Sequence, residues 1–236
     1  DENEQRETVQ HARNDAAMER RLPGGRWGGG AGRRHGSRRD AGAPNAKDLL
    51  HSPAQRMLVL HDPLRQTDLP RGCVATIGNF DGMHVGHQQI VRGVVQRARE
   101  LGRPSAVITF HPHPLTIVAP DRVPKQILTL AQKEELLREM DVDAMLVVPF
   151  THEFSNWTAD RFIAEFLVAA LQVEEVHIGR DFAFGAGREG NLAKLTAAGQ
   201  QYGFDVRGVD DVKIRGMRVS SSAIRDAITK GALHIV

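Results

Sequence analysis

Residues 74–87 read VATIGNFDGMHVGH, and this stretch decides the fold. A short apolar run is followed by a glycine-containing turn, and a helical pattern begins near residue 87. The same alternation continues along the chain, with strands expected at 74–78, 105–110, 144–150, 176–179 and 204–209, and helices near 87–101, 130–140, 158–171 and 190–202. Continuous apolar strands separated by helices predict a mostly parallel sheet covered on both faces. Right-handed crossovers then give an α/β, doubly wound, Rossmann-like domain.

This architecture predicts where a ligand binds. In doubly wound sheets, ligands lie beyond the carboxyl ends of the strands, where the strand order reverses. The loops at those ends are therefore the ones expected to carry chemistry: 79–87, 111–116, 150–157, 179–190 and the turn before Ser221.

The first of these loops contains two histidines, His84 and His87, three residues apart at the start of a helix. On a first helical turn this spacing puts both imidazoles on one face. Gly86 lies between them and lets a phosphate approach the backbone, and the helix N-terminus adds N–H donors and a positive dipole end. The pattern predicts an oxyanion site for charge that develops on a transferring phosphate.

Two alternatives apply to this histidine pair. A metal-binding pair is disfavoured because no third His, Cys or carboxylate stands at ligand spacing on the helix, although a distant loop can supply one. Two incidental histidines are the other alternative. No metal-ligating residue is assigned from the sequence.

The stretch GNFDGMHVGHQ at 78–88 resembles the signature of the H-x-G-H nucleotidyltransferases, and among these its sequence is most similar to that of bacterial FAD synthetases. Those enzymes form the adenylylating half of the bifunctional riboflavin kinase/FMN adenylyltransferases. The resemblance implies that His84 and His87 are catalytic. It also implies that ATP is bound by Gly78, Phe80, Asp81, Gly82 and Gly86. Asp81 would either orient the turn or hold Mg²⁺ through water, and both roles stay open.

A second loop, TFHPHP at 109–114, follows the second strand. Its two prolines fix an extended turn and hold the neighbouring side chains rigidly. In the alternative interpretation this segment is a stiff turn without a binding role. In the family the segment reads F-[D/E]-P-H-P, and the resemblance implies that Pro112, His113 and Pro114 help to hold the flavin. His111 stands here in place of the acid, so no carboxylate role is expected at that position.

A third loop reads GRDFAFG at 179–185, with two phenylalanines flanking a small residue among glycines. Phenyl rings on a glycine-rich loop suit a planar ring system such as a flavin. In the alternative interpretation, Phe182 and Phe184 pack beneath the loop as a satellite core. The family motif G-x-[D/N]-F-x-F-G matches without a gap, and the resemblance implies flavin contact at Asp181, Phe182 and Phe184.

The last motif is RVSSSAIR at 218–225. Serines before an apolar-periodic run predict a helix that begins near Ser221 or Ser222. Helix donors, hydroxyls and the flanking arginines would converge on a polyphosphate, whereas a capped surface helix is the alternative. The family pattern ends in S-S-T-x-x-R and binds ATP phosphates, which implies this role for Arg218, Ser221, Ser222 and Arg225. Ser222 replaces the threonine and keeps its hydroxyl.

The resemblance covers roughly residues 57–236, and the four motifs together resemble those of the FAD-synthesising branch. The resemblance implies transfer of AMP from ATP to FMN, giving FAD and pyrophosphate, with Mg²⁺ bridging the phosphates. The alternative within the same chemistry is a different phosphorylated acceptor: nicotinate mononucleotide, phosphopantetheine or glycerol phosphate. Family members usually continue into a riboflavin kinase barrel, and this chain stops where that module would begin, so the kinase domain is expected to be absent.

Residues 1–56 differ in composition from the rest. The stretch from Arg20 to Gly42 is rich in glycine and arginine, and residues 20–40 hold seven arginines against one acid. Such a segment cannot bury enough apolar surface to offset its ordering entropy, so a disordered tail or a non-native extension is expected. The alternative from another class is an RNA-binding protein that uses this arm.

The composition bounds the partners. Net charge is only +2 over 236 residues, so no nucleic-acid or membrane partner is expected, and the substrates are small molecules. Cys73 is the single cysteine, no run approaches the roughly 20 apolar residues of a membrane helix, and the first 20 residues lack the apolar core of a signal peptide. A cytoplasmic location is expected. The sequence leaves the oligomeric state open.

Overall fold

Six parallel strands form one sheet in the computed structural model, which describes residues 57–232. The strands are β1 (Leu58–His61), β2 (Val74–Ile77), β3 (Ser105–His111), β4 (Ala144–Pro149), β5 (Glu175–Gly179) and β6 (Asp205–Val209). Their order is β1-β4-β3-β2-β5-β6, and every neighbouring pair is parallel. The predicted doubly wound α/β fold is confirmed. The expected tail at 1–56, including the proposed RNA-binding arm, lies outside the described residues.

The strand order reverses beside β2. The chain runs outward from β2 through β3 and β4 on one side, then returns to place β5 and β6 on the other. All four residues of β2 are buried, and β3, β4 and β5 are buried over most of their length. Strands buried on both faces explain the continuous apolar runs that the sequence shows. The reversal makes the carboxyl ends of β2 and β5 the expected site of the ligand crevice.

The helices cover both faces of this sheet. They are α1 (Val85–Leu101), α2 (Leu115–Val118), α3 (Leu130–Glu139), α4 (His152–Ser155), α5 (Ala159–Arg161), α6 (Leu192–Tyr202) and α7 (Ser221–Thr229). The chain of α5 continues as a wide π-helical segment, Phe162–Ala170. Side chains cap most of the N-termini: His84 caps α1, Thr129 forms a capping box with Gln132 on α3, and Ser220 caps α7. These caps satisfy backbone donors that the helices themselves leave unpaired.

Among the strands, an edge strand and a small hairpin were not predicted from the sequence. Strand β1 is four residues long and pairs only with β4, at the sheet edge, so it lacks the long apolar run of a central strand. A small antiparallel hairpin of β7 (Lys213–Ile214) and β8 (Met217–Arg218) leads into α7. Its strands are two residues long and exposed, so neither period nor apolarity marks them in the sequence.

Within residues 57–232, none of the helices is both long enough and apolar enough to traverse a lipid bilayer.

Candidate active site

A cleft of about 940 Å³ lies beyond the carboxyl ends of the central strands. Its walls come from the loops that the sequence singled out, which follow β2, β3, β4 and β5, together with the hairpin and the first turn of α7. This volume lies in the range of pockets that enclose a small molecule or cofactor. The position agrees with the rule that ligands bind where the strand order of a doubly wound sheet reverses.

The two histidines lie side by side in the cleft. His84 precedes α1, and its Nδ1 accepts a hydrogen bond from the backbone N–H of His87 at 3.3 Å. The two rings stack with their centroids 3.7 Å apart and their planes 18° apart. A Cβ at Gly86 would lie 3.2 Å from His84 Nδ1. Gly86 therefore leaves room for the His84 ring close to the helix start, a steric reason that the sequence did not suggest.

Both imidazoles are uncharged near neutral pH. Burial, with a smaller contribution from Arg218, lowers the pKa of His84. Burial, His84 and Lys133 together lower the pKa of His87 to about 3. Because His84 Nδ1 accepts a hydrogen bond, the proton of the neutral ring resides on Nε2. The pair thus consists of neutral hydrogen-bonding groups rather than two cations.

Asp81 is a buried acceptor, with 6% of its surface exposed. Its carboxylate accepts from the backbone N–H groups of Ile127 and Leu128, each at 3.0 Å, and from the guanidinium of Arg225. Burial raises the pKa of Asp81, but these donors outweigh it and hold the pKa below its ordinary value. Of the two roles left open by the sequence, these contacts favour orientation of the turn.

The N-terminus of α7 is docked on the loop that precedes α1. The Ser221 hydroxyl donates to the backbone carbonyl of Asp81 at 2.7 Å, and Arg225 Nε donates to the Lys125 carbonyl at 2.8 Å. Asp81 therefore joins two segments that are 140 positions apart in the sequence. The helix does begin at Ser221, as predicted, but the Ser221 hydroxyl proton is engaged by Asp81. Ser222 also lines the cleft.

Arg218 bridges two carboxylates at the rim of the cleft. Its guanidinium lies 2.7 Å from Asp181 and 3.0 Å from Asp211. The pair with Asp181 joins the hairpin to the glycine-rich loop after β5. A cation held between two exposed carboxylates is exchangeable, because such surface pairs contribute only about 0–1 kcal/mol each.

One wall of the cleft is aromatic. The rings form a continuous series of contacts with centroids 5.3–6.2 Å apart, made by Phe110, Phe150, Phe154, Trp157, Phe162, Phe184 and Phe182. All seven line the cleft. The sequence singled out only Phe182 and Phe184. Phe150 and Phe154 lie in the loop 150–157, which was expected to carry chemistry although none of its residues was given a role.

Phe182 and Phe184 differ in environment. Their rings are stacked 5.8 Å apart, but Phe184 is only 7% exposed and packs on Phe162, whereas Phe182 is half-buried. A Cβ at Gly190 would lie 2.8 Å from the Phe184 ring, so this glycine allows the ring to lie flat against the loop. The satellite-core interpretation therefore describes Phe184 better than Phe182.

Most predicted site residues converge on this cleft, with two exceptions. His113 and Pro114 line it, but Pro112 does not. Gly82 also lies outside the lining. Its φ is 83°, and a Cβ at this position would lie 2.9 Å from the Ile127 side chain. These two positions shape their loops and are not part of the cleft surface.

Lys133 was not among the site residues predicted from the sequence. It is 7% exposed, and its ammonium donates to the Asn79 carbonyl at 2.5 Å and to Thr109 Oγ1 at 3.2 Å. Burial lowers its pKa to about 8. A signal existed, because Lys133 lies between Leu130 and Leu137 at the spacing of one helical face, where an apolar residue is expected.

Metal-ligating groups do not cluster in the part of the chain described here: residues 57–232 contain no set of three or more His, Cys, Asp or Glu side chains arranged to hold an ion. The cleft carboxylates are already paired. Asp81 is bound as above, Asp210 pairs with Arg180, and both Asp181 and Asp211 pair with Arg218.

Comparison with known proteins gives a consistent picture. A family model described as FAD synthetase matches residues 66–223. The chain is 42% identical over 164 residues to the bifunctional riboflavin kinase/FMN adenylyltransferase of Escherichia coli K12, covering 70% of this chain and 52% of that protein. It is 37% identical over 185 residues to the protein of the same name from Listeria monocytogenes, covering 76% of this chain and 57% of that one. The chain thus spans about half the length of the curated relatives it matches.

A solved structure shares the fold. A crystal structure described as a macrolide-efflux protein from Streptococcus pneumoniae superposes with a TM-score of 0.63 at 26% identity, covering 73% of this chain and 56% of that one.

Proposed function

The chain belongs to the FAD synthetase family, and from this premise we propose that it is an ATP:FMN adenylyltransferase, which transfers AMP from ATP to FMN and releases FAD and pyrophosphate. One observation carries the proposal: Asp81 holds the first turn of α7 against the loop that precedes α1, so two helix N-termini converge on a cleft whose other wall is aromatic. Helix N-termini suit phosphates, and aromatic rings suit a flavin.

In the proposed reaction, a terminal phosphate oxygen of FMN attacks the α-phosphorus of ATP in line. The new P–O bond forms while the bond between the α-phosphorus and the bridging oxygen to the β-phosphate breaks, and pyrophosphate leaves with the electron pair. The nucleophile is already an oxyanion at neutral pH, so the protein needs neither a nucleophile of its own nor a strong base. Catalysis then consists of positioning and charge stabilisation.

The histidine pair is proposed to act at the α-phosphate. His84 and His87 are neutral, and His84 carries its proton on Nε2, so this ring can donate a hydrogen bond without proton transfer. Donors held in place before the reaction stabilise developing charge without reorganisation at the moment of transfer. The start of α1, with its backbone N–H groups, and the His84 ring both border the cleft.

The first turn of α7 is proposed to hold the β- and γ-phosphates. Ser221 and Ser222 contribute backbone donors at a helix N-terminus, and Arg225 lines the cleft while its guanidinium is held by Asp81. Arg218 is proposed to exchange Asp181 or Asp211 for a phosphate, because a doubly charged phosphate competes well against a single exposed carboxylate.

Magnesium is proposed to arrive with ATP. When bound, Mg²⁺ would supply positive charge that offsets the charge of the ATP phosphates. The carboxylates in the cleft are engaged by arginines or backbone donors, so the residues fit an ion that would keep most of its water and would be held mainly by substrate phosphates.

The cytoplasmic location expected from the sequence stays a prediction.

The direct test is chromatography of flavins after the protein is incubated with FMN, ATP and Mg²⁺. We expect FAD and pyrophosphate in equal amounts. The matched controls replace FMN with nicotinate mononucleotide, phosphopantetheine or glycerol phosphate, and these acceptors should release no pyrophosphate. Release with one of them and none with FMN would reject the proposed acceptor but keep the class of chemistry.

Replacement of Phe182 by alanine is expected to raise the KM for FMN about tenfold, since a ring that stacks on a planar base contributes roughly 1–3 kcal/mol. The KM for ATP should stay unchanged. Steady-state kinetics with each substrate varied in turn measures both values.

The matched variant is Phe184→Ala. This ring is 7% exposed and packed between Phe162 and Phe182, so its loss should mainly lower the melting temperature. Equal effects of the two variants on the FMN KM would contradict the assignment of Phe182 as the ring that meets the ligand.

A further inference from the structure

Lys133 is a charged residue on the apolar face of a helix. It lies on α3 one turn before Leu137, which is fully buried in the core beneath the sheet. A buried ammonium group is unfavourable unless it is well paired, and Lys133 contacts two neutral oxygens rather than a carboxylate. An apolar side chain at this position would avoid that desolvation penalty. A lysine at this position therefore points to a role beyond packing.

The ammonium completes a closed set of hydrogen bonds at the end of β2. Lys133 donates to the Asn79 carbonyl and to Thr109 Oγ1, and the Thr109 hydroxyl in turn donates to the same Asn79 carbonyl at 3.3 Å. Thr109 is fully buried on β3. The backbone of Asn79 is thus held from two neighbouring elements, α3 and β3.

The Asn79 carbonyl begins the turn that carries the histidines. Phe80 and Met83 follow with φ of 49° and 37°, left-handed conformations that non-glycine residues adopt only when surrounding contacts require them. The far end of the turn is held by Gln88, which donates to the Met83 carbonyl at 2.8 Å. Lys133 anchors the near end.

Both phosphate-binding elements depend on this turn. His84 leaves it at the start of α1, and Asp81 within it binds Ser221 and Arg225 of α7. A shift of the Asn79 carbonyl would move the histidines and the α7 docking point together. We propose that Lys133 is a positioning residue of the transfer site, holding the β2–α1 turn so that the histidines and the α7 N-terminus meet one nucleotide; the proposal rests on the proposed function.

The charge of Lys133 also acts on His87. The titratable groups that face His87 are His84, Lys133 and Asp81, and the first two lower its pKa while Asp81 raises it. Removing the ammonium should therefore raise the pKa of His87 toward its ordinary value, although burial continues to hold it low. This readout does not depend on enzymatic turnover.

The test replaces Lys133 with methionine, which keeps the length of the side chain and removes its charge and donors. We expect kcat for FAD formation to fall roughly 100-fold, because a small misplacement of reacting groups costs about that much, with both KM values within about threefold of wild type. The melting temperature should not fall, since the buried charge is gone. The pKa of His87, followed by its ring NMR signal and assigned by the loss of that signal in His87→Ala, should rise.

Two matched variants separate the contributions. Thr109→Val keeps the ammonium and removes one hydroxyl, so it should lower kcat less and leave the His87 pKa unchanged. Lys194→Met removes a lysine outside the cleft lining that pairs with Asp160, and it should change neither value.

The proposal is overturned if Lys133→Met keeps kcat within threefold of wild type, if its loss of activity is matched by loss of folded protein, or if the His87 pKa does not move. Wild-type protein that forms no FAD would instead reject the proposed function. In that case the His87 titration and the melting temperature still decide whether Lys133 supports the turn through its charge.

Discussion

His87→Ala is expected to lower the rate of FAD formation by roughly 10²–10³, the range found when one preorganised donor of an oxyanion site is removed. The ring lies in the cleft, stacked on His84 and edge-on to Phe80 at 5.2 Å. Its loss removes a fixed polar group and also the surface against which His84 is held. Because neither ring belongs to the aromatic wall, the dissociation constant for FMN should stay within about threefold, a change of less than 1 kcal/mol.

The measurements for this variant are single-turnover FAD formation and flavin fluorescence titration. His152→Ala is the control, since His152 is an exposed histidine on α4 that does not line the cleft. Circular dichroism of both variants checks that the overall fold survives. Turnover of His87→Ala within threefold of wild type would remove the ring from the mechanism.

Arg225→Ala is expected to have two large effects at once. The first is a rise of at least about tenfold in the KM for ATP, from the loss of a cation beside the phosphates. The second is a loss of roughly 2–3 kcal/mol of folding free energy, because the Asp81 carboxylate keeps its backbone donors but loses its buried counter-charge. The sequence alone suggested only the first effect.

A double-mutant cycle with Asp81→Asn separates the two effects. If Arg225 stabilises the fold through Asp81, the stability losses of the single variants should not add in the double variant. The effect on the KM for ATP should remain in full. Arg65→Ala, which breaks an exposed pair with Asp62, serves as the control and should change neither quantity. Additive stability losses would show that Asp81 and Arg225 act independently.

Much of the fold follows from local sequence patterns. The five strand segments and four helices expected from periodicity all occur, with ends that differ by three residues or fewer. The start of α7 at Ser221 follows from its serines, which act within one turn of the chain. Each motif also contributes residues to the lining of the cleft, because every one of them lies at the carboxyl end of a parallel strand or at a helix start.

Features that depend on contacts between distant segments were not accessible in this way. The joining of Asp81 to Ser221 and Arg225, the seven-ring aromatic wall, and the burial of Lys133 beneath Asn79 all bring together residues from different elements. Pro112 and Gly82 were placed among the binding residues because they lie inside motifs, yet neither faces the cleft. A motif records neighbours along the chain, whereas the orientation of each side chain is decided by packing.

The sequence by itself determined the class of fold, the order of its main strands and helices, the start of α7 and the loops that lie at the carboxyl ends of the strands, because periodicity and capping act over only a few residues. The tertiary structure alone decided which of those loops meet, which rings face the cleft and which charges are buried. The physical reason is the strand order: placing β3 and β5 on either side of β2 brings their loops together, and no short-range pattern encodes that arrangement.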